Sequence, residues 1–177
     1  MAADSTAAAA ACGWEEVLIY ALSYVGVNPA VTAAAAAAAS AFTCNHEIIE
    51  ASFSPARPPL PSRLHVRCPE LYPGASSELP RVLCAAQGTI LFRVATSCRG
   101  RPISVSSDGS DYFVYRVDGD RPSLRLLPHQ QPAFSFRDEE VGILPRGDRH
   151  YTIAALQAYG TIEPGAAFTL HLLHSDV

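Results

Sequence analysis

Short runs that alternate apolar and polar residues, each closed off by proline or glycine, fill this chain from Glu47 onward. A period of two sends neighbouring side chains to opposite faces, so each run reads as a β-strand with one buried face. In Arg63-Leu64-His65-Val66-Arg67-Cys68, for example, Leu64, Val66 and Cys68 share one face and the polar side chains share the other. With 11 Gly and 14 Pro in 177 residues and only 17% charged side chains, neither a long-helix protein nor a highly charged disordered one fits. A hydrophobic fraction of 49% is enough for one domain with a core.

The strands can be placed from their punctuation. Val82 to Ala86 and Ile90 to Val94 flank Gln87-Gly88-Thr89, the spacing of a hairpin in which glycine supplies a positive φ. Ile90, Phe92 and Val94 are expected to face the core. Tyr112 to Val117 pairs with Ser123 to Leu127 across Asp118-Gly119-Asp120-Arg121-Pro122, and the nearly continuous apolar first arm marks a central strand. Val141 to Leu144, Tyr151 to Leu156 and Phe168 to Leu173 follow, bounded by Pro145-Arg146-Gly147 and Pro164-Gly165. The expectation is a mainly β, antiparallel meander of about eight or nine short strands with no convincing helix between them. Phe113 to Val117 and Phe168 to Leu172 look alike 55 positions apart, a weak repeat. Propeller-like blades, a sandwich and a partly closed barrel all remain open at this level.

The N-terminal third differs. Residues 1–13 are small, polar or alanine and are expected to be disordered, ahead of a single β-rich domain over residues 14–177. Trp14 to Tyr20 reads as a first strand, although Val17 to Tyr24 could equally begin a helix. Residues 28–42, with the alanine tract 33–39, read as an Ala-rich loop or short helix lacking an amphipathic stripe. The uncharged stretch Val17 to His46 exceeds the roughly 20 residues a bilayer span needs. Asn28-Pro29 near its middle and the lack of basic flanks argue against a membrane role. Acidic residues Asp4, Glu15 and Glu16 stand where signal peptides and organelle presequences carry positive charge, which points to the cytoplasm or nucleus and leaves a mitochondrial location without a conventional presequence.

Charge narrows the partner classes. The net charge of -4 and pI near 5.8 exclude the strongly basic face of a nucleic-acid binder. All 13 positive residues are arginine, so the chain offers no lysine side chain for ubiquitin, acetyl transfer or Schiff-base chemistry. Residues 1–56 hold five acids and no arginine, which leaves residues 57–177 at 13 minus 12, or +1. Five widely spaced cysteines without a CxxC pair fit neither a disulfide scaffold nor a zinc ribbon and point to a reducing compartment, with Cys68 and Cys84 as small core residues.

Chemistry-bearing motifs return nothing: GxSxG, HExxH, the P-loop and GxGxxG are absent. Cys44-Asn45-His46 is too sparse for a metal site, and His171 and His174, three positions apart on a strand, point to opposite faces. His150 with Asp148, Glu139 and Glu140 reads as a solvated turn rather than an acid/base cluster. No catalytic residue, metal or cofactor is expected. The segment Phe134-Ser135-Phe136-Arg137-Asp138-Glu139-Glu140 sets aromatic side chains beside charges, as an interface with an apolar anchor and a polar rim does. Phe134, Phe136, Asp138 and Glu139 are therefore candidate contacts with another protein, although the two phenylalanines also suit a buried strand face. Phe168 and Leu170 join them on a strand expected near an exposed sheet edge, which also opens a route to homo-oligomers.

The order and spacing of several motifs carry a resemblance. They are Leu64-His65-Val66-Arg67-Cys68-Pro69-Glu70-Leu71, Pro80-Arg81-Val82-Leu83-Cys84, Ile90-Leu91-Phe92-Arg93-Val94, Asp111-Tyr112-Phe113-Val114-Tyr115 and Arg121-Pro122-Ser123-Leu124-Arg125-Leu126-Leu127-Pro128-His129. Val141-Gly142-Ile143-Leu144-Pro145-Arg146-Gly147, Tyr151-Thr152-Ile153-Ala154-Ala155-Leu156 and Leu170-His171-Leu172-Leu173-His174-Ser175 complete the series. Over most of residues 44–177 the chain resembles the N-terminal half of the grass-expanded plant proteins of domain-of-unknown-function family 1618. The resemblance stops before the region that names that family, which implies a shortened paralogue or a truncation. It implies a non-enzymatic module that binds another protein, in stress response or reproduction. A pollen toxin or antidote of hybrid incompatibility is an alternative within that implication. A small-molecule-binding domain or unrecognised enzyme is the alternative from a different class.

Overall fold

The computed structural model describes residues 18–22, 24–25, 38–68, 79–96, 110–117, 121–128, 137–146, 150–159 and 167–175. The expected disorder of residues 1–13, the strand residues 14–17, the tract 28–37, the turn at 118–120 and the side chains of Phe134 and Phe136 lie outside them. Among the described residues the chain is mainly β, with eleven strands in three sheets and a 3-10 turn at Asp138–Glu140. The first sheet holds β1 (Tyr24–Val25), β2 (Ala39–Phe42), β3 (Ile48–Ser54) and β4 (Arg63–Arg67) in the order β1-β4-β3-β2. The second runs in chain order through β5 (Arg81–Ala86), β6 (Thr89–Ala95), β7 (Ser110–Arg116) and β8 (Ser123–Leu126). The third is β9 (Val141–Arg146), β10 (His150–Tyr159) and β11 (Ala167–His174), with β10 in the middle. Every pairing is antiparallel except the two-residue β1 against β4, and no sheet closes into a barrel.

One expectation for the N-terminal third changes. The end of the presumed loop, Ala39–Phe42, is a strand, and its pairing with Ile48–Ala51 turns Ala39 into the core. Of the expected strand from Trp14 to Tyr20, only residues 18–20 are described, and they hold an isolated parallel bridge, Ile19 to Ser62, with the short β1 following at Tyr24–Val25.

Local sequence explains the local geometry. In β4, Leu64 and Val66 are buried and Arg63 and Arg67 exposed, as the alternation requires. The β5–β6 hairpin closes through Gln87 (φ 45°) and Gly88 (φ 72°), the two positive values that match a tight turn to the strand twist. A register shift in β5 sets Val82 opposite Phe92 and Cys84 opposite Leu91. Through that bulge Val82 packs toward the first sheet while both Leu83 and Cys84 pack toward the third.

The three sheets stack face to face, and the second is covered on both sides. Ile90, Phe92, Val94, Phe113 and Tyr115 meet Ile49, Ala51, Leu64 and Val66 of the first sheet. Leu91 and Val114, on the opposite face, meet Val141, Tyr151, Ile153 and Ala155 of the third. Being buried on both faces is why β6 and β7 read as continuous apolar runs rather than alternating ones. Polar groups in these layers are tied down. The Tyr115 phenol bonds to the Phe53 backbone, and burial pushes its pKa to about 12. Tyr151 bonds to the Arg125 side chain, while burial raises its pKa against the pull of Arg125 and Arg116.

A polar staple joins the first two sheets beyond the β2 end. Cys44 N–H donates to Asp111 Oδ2 at 2.7 Å, and Asn45 Nδ2 donates to the Thr96 carbonyl at 3.0 Å. Cys44 is also disulfide-bonded, whereas Cys68 and Cys84 are free. An odd, widely spaced set without CxxC gave no sign of that bond, since pairing depends on which strand ends the sheets bring together.

Candidate interaction surface

The stack has two outer faces, and they differ in chemistry. The first sheet turns outward Ser40, Glu50, Ser54, Arg63, His65 and Arg67, with Phe42 and Ile48 at one end and Ser52 buried among them. Arg67 Nη1 and Glu50 Oε2 pair there at 3.2 Å, and burial together with Arg63 holds His65 below its usual pKa. A polar outer surface of this kind closes a stack against further sheets.

The third sheet turns outward the opposite kind of surface. Its β10 sends Tyr151, Ile153 and Ala155 inward, so the residues between them and their cross-strand neighbours face away from the core. These are Leu144 on β9, Leu156 on β10, and Phe168, Leu170 and Leu172 on β11. Phe168, Leu170 and Leu172 are 60%, 59% and 51% exposed and Leu144 64%, values far from those of a finished core. Gly142 and Ala154 form a low row between the leucines, and a Cβ at Gly142 would meet nothing within 4 Å. The polar members satisfy each other, for Thr152 Oγ1 lies 2.9 Å from His174 Nδ1. On the other face of β11, His171 Nε2 lies 2.9 Å from Gln157 Oε1, so the two histidines do point apart.

The sequence-derived contact candidates are distributed as follows. Phe168 and Leu170 sit on β11, an edge strand of the third sheet among the described residues. Leu144, Leu156 and Leu172, which complete their surface, were missed because a half-buried strand was expected to turn its leucines inward. The available signal was that Leu170-His171-Leu172-Leu173 places leucine on both phases of the alternation. Asp138 and Glu139 are engaged within the chain. Asp138 Oδ1 lies 2.9 Å from Arg93 Nε and its Oδ2 3.0 Å from Arg81 Nη1, so it anchors the start of β9 to the second sheet. Glu139 Oε1 lies 3.6 Å from Arg81 Nη2 and its side chain is 71% exposed. Its ion pair is therefore of little energetic consequence.

Two thiols resist chemistry. Burial, with the Glu47 carboxylate nearby, pushes Cys68 to about 11, and burial pushes Cys84 to about 11 against a hydrogen bond from the Ile143 backbone. From an ordinary 9.0, that shift leaves about a hundredfold less thiolate at pH 8. Iodoacetamide should therefore modify Cys68 and Cys84 about a hundredfold more slowly in the native chain than in urea, as mass spectrometry of timed aliquots would show. Equal native and denatured rates at either site would contradict the burial described. Among the described residues no three His, Cys, Asp or Glu side chains gather as a metal site does, and no helix is long and apolar enough to cross a membrane. Comparison of the chain with family models, curated proteins and solved structures finds no match.

Proposed function

We propose that this protein is a non-enzymatic protein-interaction module whose docking surface is the outer face of the third sheet. One observation carries the reading: Leu144, Leu156, Phe168, Leu170 and Leu172 form a contiguous exposed apolar face on the last sheet of a stack whose opposite face is polar except for Phe42 and Ile48 at one end. The ordered motifs from Leu64 to Ser175 support a place among the grass-expanded plant proteins they resemble, and with it a role in stress response or reproduction. Cytosolic proteins rarely keep disulfides, so the Cys44 bond speaks against the cytoplasmic or nuclear location expected from the sequence, and the proposal names no compartment.

The test is purification of the tagged full-length chain from grass anthers and leaves, beside a Leu170→Glu/Leu172→Glu variant. A stoichiometric protein recovered with the wild type and lost with the folded variant is the expected result. Recovery unchanged in the variant, or no protein recovered with either, overturns the reading.

A further inference from the structure

We infer that the mouth of the layer between the second and third sheets binds a phosphate group, held by Arg116, Ser123, Arg125 and Tyr151. This site is separate from the outer face of the third sheet. Strand register places the first three side by side. Arg116 of β7 stands opposite Ser123 of β8, and Arg125 follows Ser123 two positions on. All three point toward the third sheet, because Val114, which alternates with Arg116 and stands opposite Arg125, packs there. A diagonal pair such as Arg116 and Arg125 starts about 7–8 Å apart, a gap that two arginine side chains close readily. Tyr151 enters the same layer from β10, and the Arg125 side chain donates to its phenol oxygen. Exposure falls from Ser123 and Arg125 through half-buried Arg116 to Tyr151 at 5%, so a ligand arriving from solvent meets partly dry donors, where charge counts for more.

Four donor groups meet there, and the strands around them supply no anion to match. Arginine only donates, so its bond to Tyr151 uses the phenol oxygen as acceptor and leaves the O–H proton to be given elsewhere. Burial raises the phenol's pKa, so it keeps that proton at neutral pH. From β5 to β11 the one acid within a strand is Asp111, which faces the first sheet and takes the Cys44 N–H. Asp138, which does reach this layer, is held by Arg81 and Arg93 at its far end. Arg93 lies four residues along β6 from the Thr89 that pairs with Arg116, roughly 13 Å away. A planar carboxylate offers two oxygens to donors arriving from three strands. A tetrahedral phosphate offers three or four, and its charge of about −1.5 to −2 matches two guanidinium groups. The rival occupant is a carboxylate of Asp118 or Asp120, in the turn outside the described residues, and the experiment separates it from phosphate.

Nuclear magnetic resonance titration of the nitrogen-labelled full-length chain with inorganic phosphate and, separately, with O-phospho-L-serine tests this, at ionic strength held constant with sodium chloride. The expected result is a saturable shift of the Arg116, Ser123, Arg125 and Tyr151 amides with a Kd on the order of 1 mM. Arg116→Gln and Arg125→Gln should each weaken binding about tenfold, and Tyr151→Phe, which keeps the ring and loses the donor, at least about threefold. Arg63→Gln, on the outer face of the first sheet, should leave it unchanged. Circular dichroism melts without phosphate check that each variant is folded. Tighter binding of O-phospho-L-serine identifies an ester as the source and tighter binding of inorganic phosphate the free ion; either supports the site. No saturable shift up to about 20 mM, as a turn carboxylate already seated between the arginines would give, overturns the inference. Affinity undiminished in a folded Arg116→Gln/Arg125→Gln variant overturns it as well.

Discussion

Phe92→Ala lowers the unfolding free energy by about 3–5 kcal/mol. Phe92 has no exposed surface and lies in β6, the second strand of the middle sheet, which is covered on both faces. Its ring stacks on Phe113 of β7 with centroids 5.6 Å apart, and Phe113 is equally buried. Truncation removes the ring's transfer free energy and leaves a void walled by Ile49, Leu64, Val66 and Tyr115, whose positions are fixed by strand pairing and cannot collapse inward. Domains of this size have about 5–15 kcal/mol in hand, so the variant stands close to the unfolding threshold at room temperature. Urea titration followed by circular dichroism checks the value. Phe92→Leu, which keeps most of the volume, should lose much less. A loss below about 1.5 kcal/mol for the alanine variant would show that the first two sheets do not pack as described.

Asp111→Ala should cost about 2–3 kcal/mol, through hydrogen bonding rather than packing. Asp111 begins the second sheet's β7 and is fully buried, and its Oδ2 takes the Cys44 N–H in the bend between β2 and β3. Removing the carboxylate leaves that amide without its acceptor in a part-buried site, a loss that no rearrangement of alanine can offset. Asp111→Asn retains an oxygen at the same reach and should lose less. The distinguishing readout is hydrogen exchange at the Cys44 amide, slow in the wild type and accelerated in Asp111→Ala. An amide that stays equally protected would mean that the staple does not hold the sheets together.

The sheets were legible where one physical rule governed the residues, and illegible where two competed. Leu64 and Val66 alternate with arginines and were placed on the correct face; the Gln87-Gly88 hairpin and the interior position of β7 followed from turn chemistry and from apolar continuity. The 55-residue likeness of Phe113 to Val117 and Phe168 to Leu172 falls on unlike strands, the interior β7 with Phe113 buried and the edge β11 with Phe168 exposed. Alanine has no pattern to read, and the strand at Ala39–Phe42 is set by pairing with β3 rather than by its own propensity. The choice among blades, sandwich and barrel depends on contacts between sheets, which alternation within a strand does not encode. For the surface, Phe168 and Leu170 were found, but Asp138 reads as a rim charge until Arg81 and Arg93, more than forty residues earlier, are seen to arrive beside it.

Each sheet is built almost entirely from one continuous stretch of chain, and the stretches follow one another without interleaving. A ribosome therefore releases this protein in finished instalments. The first instalment leaves with one greasy side, and the second arrives to cover it while baring another of its own. Until residues 141–174 have emerged, Leu91 and Val114 look out on water. The nascent chain is thus most prone to stick to its neighbours late in synthesis, and slow translation just before the third sheet is the condition under which misassembly on the polysome would be greatest.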